Sequence, residues 1–513
     1  MNNKIIYIGL ITILAGILLF PGCEKELEPK FYQDLTVDNF FETEGDFNAA
    51  LIAIYNPFTA HWGDTDPGDD EWYAALYNAN NRTYLMRSEI TSDEIYGADD
   101  ADLLNFTWGP STYSYDVWSS TYAKIRFVAR ATDVIDKISK SDANEIVKNR
   151  YIAQAKILRA WLMYVLYDFF GPLNVKLDPE TLSDTEIIPR LSDEAYCSAI
   201  EQDLLDALAM DETELPDKYN GDGANWGRVS RGVARMLLLR LYMHKKRWAD
   251  AEAVGMDLMN MGYALEPKYR EVFTKTANNE IIYAVPCSDA SPNWYMHHLF
   301  PAGIAIGFCI DANNDTVKIE RGAGWYMYSM PWDFYDKFSA GDDRKSVIIA
   351  EYVSRNGDTI TRANVDTDLG QFGAIPLKYT QIEPGDGGPD YPYDWVVFRY
   401  AEVLLSVAEA INEQRGPADA YQYVNQVRAR AMVPEWSGLT QEQFRDSILD
   451  ERGRELFSEG VRRQDLIRHG KFIQYARDRG ITNAEDHQVL FPIPIDVIIE
   501  GGGTIVQNPG YVN

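Results

Sequence analysis

Residues 143–170 place Ile152, Ala155, Leu158, Leu162 and Leu166 on one helical face, and Gly171-Pro172 then ends the run. That spacing predicts a long helix, because Gly and Pro together are a strong stop signal. A helix with such a face has to bury it against other elements. The same period recurs at 46–55 (Phe47, Ala50, Leu51, Ile54) and at 115–138 (Val117, Tyr122, Ile125, Val128, Val134). It recurs again at 230–244, 248–261, 398–413, 418–431 and 440–458. Leu191-Ser192-Asp193-Glu194 supplies an N-cap for a further helix reaching Ala209. The fold class expected is therefore mostly α.

The pair 230–244 and 248–261, with Ala234, Leu238, Tyr242, Trp248, Ala251 and Ala253, resembles a tetratricopeptide unit in which small residues let two helices approach. No period of ~34 residues runs through the chain, so helix pairs on a common scaffold are expected rather than a regular solenoid. Between Tyr263 and Asp394 the pattern changes. Gly, Pro, Asn and Asp become frequent, apolar stretches shorten and aromatics cluster. A loop-rich insertion is expected there, and loops on a rigid scaffold are where binding residues concentrate.

The first 22 residues stand apart. Lys4 precedes an almost unbroken apolar run, Ile5 to Phe20, followed by Pro21-Gly22-Cys23. The run is short for a bilayer span of about 20 residues and ends at a small residue, so it reads as an export signal. The Gly-Cys junction resembles a bacterial lipobox, which makes Cys23 the candidate lipidation site, although Phe20 and Pro21 depart from the usual residues. Glu24 to Glu28 form an acidic cluster resembling the surface-export tag of some Gram-negative lipoproteins. With Cys23 set aside, Cys197, Cys287 and Cys309 do not make a disulfide framework, and none has zinc-site spacing.

Lys plus Arg number 48 against 78 Asp plus Glu, a formal charge of −30, which argues against nucleic-acid binding. It also argues for neutral rather than strongly anionic ligands, although Arg82 and Arg87 could form a local basic patch. No GxSxG, HExxH or P-loop occurs. Gly221, Gly223 and Gly227 miss dinucleotide spacing, and Asp311-x-Asn313-x-Asp315 lacks the Gly and Glu of a calcium loop. No catalytic residue, metal or cofactor is therefore expected. Aromatics cluster at Trp62, Trp72, Tyr73, Tyr77 and Tyr84, then at Tyr96, Trp108, Tyr113, Tyr115 and Trp118. A third cluster holds Trp294, Tyr295, Trp325, Tyr326, Tyr328, Trp332 and Tyr335. Flat aromatic faces suit the C–H faces of sugar rings, while Asp, Asn and Arg suit the hydroxyls. Most of these rings are expected in the core, with the loop-borne minority as candidates.

The C-terminal third carries a specific signal. Phe398-Arg399-Tyr400-Ala401-Glu402, Ala408-Glu409-Ala410 and Val424-Asn425-Gln426-Val427-Arg428 are followed by Glu451-Arg452-Gly453-Arg454-Glu455 and Arg463-x-Asp465-Leu466. The chain closes on Leu490-Phe491-Pro492-Ile493-Pro494 and Gln507-Asn508-Pro509-Gly510-Tyr511. Ser92-Asp93-Glu94, Ala155 to Ala160, Phe170-Gly171-Pro172 and Pro189-Arg190-Leu191-Ser192 lie upstream. This ordered set resembles the SusD/RagB family across the mature chain, with one departure, the Asn missing between Arg126 and Thr132. As physics, Glu402, Glu409, Arg428, Arg452, Arg454 and Glu455 are charges on mostly apolar helices, expected to be paired partly buried ions. Phe491 to Pro494 is expected to be extended.

The resemblance implies an organisation. Residues 1–22 would be a lipoprotein signal, 23–30 an acidic tether, and 31–513 a single SusD-like domain. In that domain a helical scaffold at about 31–262 and 395–513 would carry the insertion at about 263–394. It implies a non-catalytic, lipid-anchored outer-membrane protein that captures a glycan and passes it to a SusC-like TonB-dependent transporter. By region it implies Asp93, Tyr96, Trp108, Trp294, Tyr295, Trp325 and Tyr326 as ligand-binding residues. RagB-type members handle peptides, so a peptide ligand on the same scaffold stays open. A secreted glycoside hydrolase and a ligand-free helical adaptor are the remaining alternatives.

Overall fold

The computed structural model describes residues 41–60, 75–78, 83–97, 100–110, 121–288, 328–354, 358–364, 373–379 and 393–512, the backbone of 304–311 and 316–319, and the positions 291, 293, 295 and 299. The chain is mostly α, with a scaffold of packed helix pairs.

The long helix runs Glu145–Phe170. Asn144 starts it by accepting the Ile146 N–H at 2.9 Å, which satisfies one of the orphan donors of the first turn. Nearly every residue from Tyr151 to Phe170 is buried, so this helix is the axis of the core. It ends at Gly171, in a left-handed conformation (φ 71°) that a side chain would strain. The helix's last carbonyls would be orphans there. Three family-motif segments converge to satisfy them. Arg190 donates to the Phe170 carbonyl at 2.9 Å and the Pro172 carbonyl at 2.7 Å. Asn508 donates to the Phe170 carbonyl at 3.0 Å. The Phe491 N–H donates to the Phe169 carbonyl at 2.7 Å, from the expected extended segment. These motifs, far apart in the chain, are one helix terminus in space.

Ile125–Lys140 and Asp193–Leu208 both pack on this axis; Arg231–His244 then packs on Asp193–Leu208, and Trp248–Met259 on Arg231–His244. Ser192 caps the Asp193–Leu208 helix, as its sequence predicts, by accepting the Ala195 N–H. Trp248–Met259 then packs on Tyr400–Arg415. The scaffold is thus continuous in space across residues that interrupt it in sequence. Tyr400–Arg415 in turn carries Tyr421–Arg430 and Gln441–Leu456. The close approach of the two halves rests on Gly255, whose added Cβ would lie 2.3 Å from Val407 Cγ2.

The described residues of the intervening segment include paired strands as well as loops. It leaves the scaffold through Ile281–Val285 and returns through Trp395–Arg399, and these two wholly buried strands pair antiparallel as a stem. Residues 398 and 399 therefore belong to a strand, and the helix begins at Tyr400. The β-branched and aromatic run Trp395-Val396-Val397-Phe398 explains the difference. Beyond the stem lies an antiparallel sheet ordered Tyr96–Gly97, Tyr328–Pro331, Gly373–Pro376, Ile348–Ser354, Ile304–Asp311 and Thr316–Ile319, with Thr359–Ile360 also paired to Ile348–Ser354. Its first strand comes from the early segment. Trp161 fastens that segment to the centre: its Nε1 donates to Tyr77 Oη at 2.9 Å, and its ring meets Phe58, Tyr283 and Phe398.

Substituting Gly255→Ala should cost about 1–3 kcal/mol in denaturant unfolding, the range for overpacking a core. Adding Val407→Ala should recover part of that loss, because the smaller residue makes room for the new methyl.

Candidate functional site

The strand Tyr328–Pro331 is where the early segment meets the sheet. Tyr96 pairs with Ser329 and Gly97 with Tyr328. Tyr96 is half-exposed. The chain enters this strand from Trp325 and Tyr326, which lie outside the described residues, as does Trp294. It leaves into a short helix, Trp332–Tyr335. The Trp332 and Tyr335 rings meet edge-on at 5.5 Å, and the Arg362 guanidinium lies 5.3 Å from the Trp332 ring centre. Arg362 is oriented by Asp336, at 2.8 and 2.9 Å. An aromatic pair thus follows this strand, with a guanidinium and a carboxylate beside it. Such a set offers flat apolar faces together with donors and acceptors. Sequence clustering pointed to Trp332 and Tyr335, whereas Arg362 had no local signal, because its partners Trp332 and Asp336 are distant in the chain.

Three of the expected ligand residues have other work. Tyr295 is 1% exposed, packed between Trp395 at 4.9 Å and Tyr379 at 6.4 Å. Trp108 is 3% exposed, its ring against Phe106 and Phe491 and its Nε1 donating to Tyr511 Oη at 2.9 Å. The closing motif lies over it. Asp93 is buried and holds Arg462 at 2.7 and 3.0 Å and Lys337 at 3.0 Å. These side chains serve the interior, and regional reasoning could not separate them from exposed neighbours of like composition. Arg87 is likewise fully buried and donates to Thr121 at 3.0 Å, so it forms no surface basic patch; Arg82 lies outside the described residues.

Beneath this region runs a buried charge network. Arg399, fully buried, donates to both Glu459 oxygens at 2.7 and 2.8 Å, to Glu280 at 2.9 Å and to Glu455 at 2.6 Å. Lys378, from the insertion, donates to Glu459 at 2.5 Å. Burial pulls its ammonium down to about 8, against the pull of Glu459. Arg344 joins Asp342 and Glu451, each at 2.8 Å, and Glu451 also takes Arg428 and Arg454. Burial works to raise Glu451 and Glu455, but the surrounding guanidiniums outweigh it and hold both at about 2. Glu402 pairs with Arg240, Arg452 with Asp465, and Glu409 with Arg468. The charges expected to be paired partly buried ions are paired, most of them more deeply than expected.

Glu89 and Glu94 differ. Both are fully buried, and Glu89 accepts the Gly460 N–H at 2.5 Å. Burial raises both carboxyls, Glu89 to about 7, and in Glu94 the neighbouring Glu89 raises it further. Asp93 shows the opposite balance. Burial would raise it, but Arg462 and then Lys337 hold it well below the ordinary carboxylate range. Among the described residues no group of three or more His, Cys, Asp or Glu could hold a metal ion.

Comparison with known proteins gives a consistent answer. The model of the SusD family matches residues 350–511. A SusD-like protein of Formosa agariphila is 25% identical over 99% of both chains. The starch-binding protein SusD of Bacteroides thetaiotaomicron is 24% identical over 87% of both chains. Among solved structures, a surface glycan-binding protein A of Bacteroides thetaiotaomicron in complex with laminarihexaose superposes with a TM-score of 0.68 at 23% identity. That match covers 90% of this chain and 99% of the other.

The two kinds of buried acid predict opposite pH behaviour. Asp93→Asn should cost about 3–5 kcal/mol at pH 7 in chemical unfolding. A depressed pKa contributes stability above the unfolded value of about 3.9 that is lost as pH falls, so the deficit should shrink in acid. Glu89→Gln should be nearly neutral at pH 5. Raised carboxyl pKa values cost stability as pH climbs past about 4.3, so the variant should lose less stability than the parent between pH 5 and 8.

Proposed function

This chain belongs to the SusD family, and from that premise we propose that it is a cell-surface glycan-binding protein that performs no chemistry on its ligand. The observation that carries this reading is the Trp332–Tyr335 pair with Arg362, next to the strand Tyr328–Pro331, on a scaffold that superposes over 90% of the chain with a laminarihexaose-bound relative. Tyr96, Trp294, Trp325 and Tyr326 supply stacking platforms for sugar rings, joined by Trp332 and Arg362. Asp93, Trp108 and Tyr295 position these segments from within.

In this reading residues 1–22 are a lipoprotein signal, Cys23 carries the lipid, and residues 23–30 form an acidic tether to the outer face of the outer membrane. The remainder is a single domain. It captures an oligo- or polysaccharide and hands it to a SusC-like TonB-dependent transporter. Among the described residues no helix is long and apolar enough to cross a membrane.

Isothermal titration of the full chain in detergent, against neutral and acidic oligosaccharides and mixed peptides, tests the proposal. At least one oligosaccharide should bind without being cleaved. Trp294→Ala and Trp325→Ala should each weaken binding by about 1–3 kcal/mol, a loss comparable to removing a stacking platform from other ligands. Binding of peptides alone would instead place the chain with the RagB-type members.

A further inference from the structure

A cavity of about 340 Å³ opens on the C-terminal helices, away from the Tyr328–Pro331 strand in its lining residues. Such a volume lies within the range of small-ligand pockets. Ser447, Asp450 and Arg454 line it from one face of the Gln441–Leu456 helix, at spacings of three and four residues. Lys337 and Ser339 line it from the insertion, and Arg428 and Trp436 from the opposite wall.

Its floor is built. Glu451 is fully buried, and one of its oxygens takes Arg428 at 2.5 Å and Arg454 at 2.6 Å. The other takes Arg344 at 2.8 Å. Three guanidiniums are thereby oriented by a single carboxylate. A guanidinium has five N–H donors. Arg428 spends one more on the Pro434 carbonyl at 2.8 Å, and Arg454 spends no other on the described residues. Donor edges are left over on a cavity wall that is already held in place. Arg428 also lies over the Trp436 ring, 4.5 Å from its centre, so a flat apolar surface adjoins the donors.

The charge balance is locally inverted. Lys337, Arg344, Arg428 and Arg454 face Asp342, Asp450 and Glu451. Asp93 and Glu455 also touch Lys337 and Arg344, but each is bonded to further arginines, Arg462 for the first and Arg399 and Arg430 for the second. A chain carrying −30 overall therefore holds a cationic notch. Guanidinium forks recognise planar or tetrahedral oxyanions by paired N–H bonds. An aromatic ring, two serine hydroxyls and Asp450 beside them suit a polyol ring.

We propose that this cleft is a second saccharide site, which takes the carboxylate or sulfate of an acidic sugar residue on Arg454 and Arg428. The assignment rests on the glycan-binding reading of the chain. A uronate and a sulfate ester present the same oxyanion chemistry, so both are probed.

Titrations of the full chain in detergent would use trigalacturonate, galactose 6-sulfate, neutral laminaritriose and triglutamate. At least one of the two acidic sugars should bind, and Arg454→Gln should weaken it about tenfold or more, the loss expected for a charged hydrogen-bonded contact. Laminaritriose binding should not change. Glu451 keeps Arg344 and Arg428 in that variant, so its melting temperature should stay close to the parent's. Should it fail to fold, Ser447→Trp fills the same cleft from the helix surface and should abolish acidic-sugar binding. Acidic-sugar binding indifferent to these changes overturns the site. So does its absence while laminaritriose still binds. Absence of every saccharide overturns the glycan reading and the cleft together. Triglutamate binding lost in Arg454→Gln, with no acidic sugar bound, overturns the saccharide class.

Discussion

Arg399 dictates how this chain can close. Its guanidinium is fully buried, where an unpaired charge would cost several kcal/mol. Its partners come from Glu280, just before the stem strand Ile281–Val285, from Glu455 in the last turn of the Gln441–Leu456 helix and from Glu459 just after that helix. Lys378, from inside the insertion, completes the Glu459 site. These charges are satisfied only when the stem strands, the sheet and the C-terminal helices are all in place. A network of this kind is weak as a source of net stability, because desolvation offsets most of the attraction. Its value here is registry: an arrangement that misplaces the stem leaves several ions unpaired at once.

The same logic explains how a sheet assembled from distant segments holds its place on a helical body. Asp93 sits three residues before the strand Tyr96–Gly97 and is clamped by Arg462 and Lys337. Lys337 follows the Trp332–Tyr335 helix. One carboxylate therefore ties together both segments whose aromatic residues are assigned to the ligand. Family-motif residues act as positioning groups here, and the residues that would touch a sugar lie in the segments they hold.

The helices were legible because their signal is local. Apolar spacing, the Ser192 cap and the Gly171-Pro172 stop are each written within a few residues, and the observed ends fall close to the expected ones. The sheet was not legible, because its strands are as short as two residues and pair across long separations, as Tyr96 does with Ser329. Gly, Pro and Asn between such strands look like loop composition. Buried charge was foreseeable from Glu402, Glu409 and Glu455 on apolar helices, whereas the identity of each partner was not. Nor could composition distinguish Trp108 and Tyr295, which fill the core, from the half-exposed Tyr96, since Trp and Tyr occur in both settings.

The central claim is that sugar is gripped where the early segment meets the insertion, while the helices Ile125–Lys140 and Asp193–Leu208 stay a passive frame. Hydrogen–deuterium exchange of the full chain, with and without a bound oligosaccharide, tests it most directly. Protection on binding should concentrate in residues 96–110 and 290–336, with the helices Ile125–Lys140 and Asp193–Leu208 unchanged. Protection confined to those outer helices, with the segments around Tyr96 and Trp325 unaffected, would contradict the account.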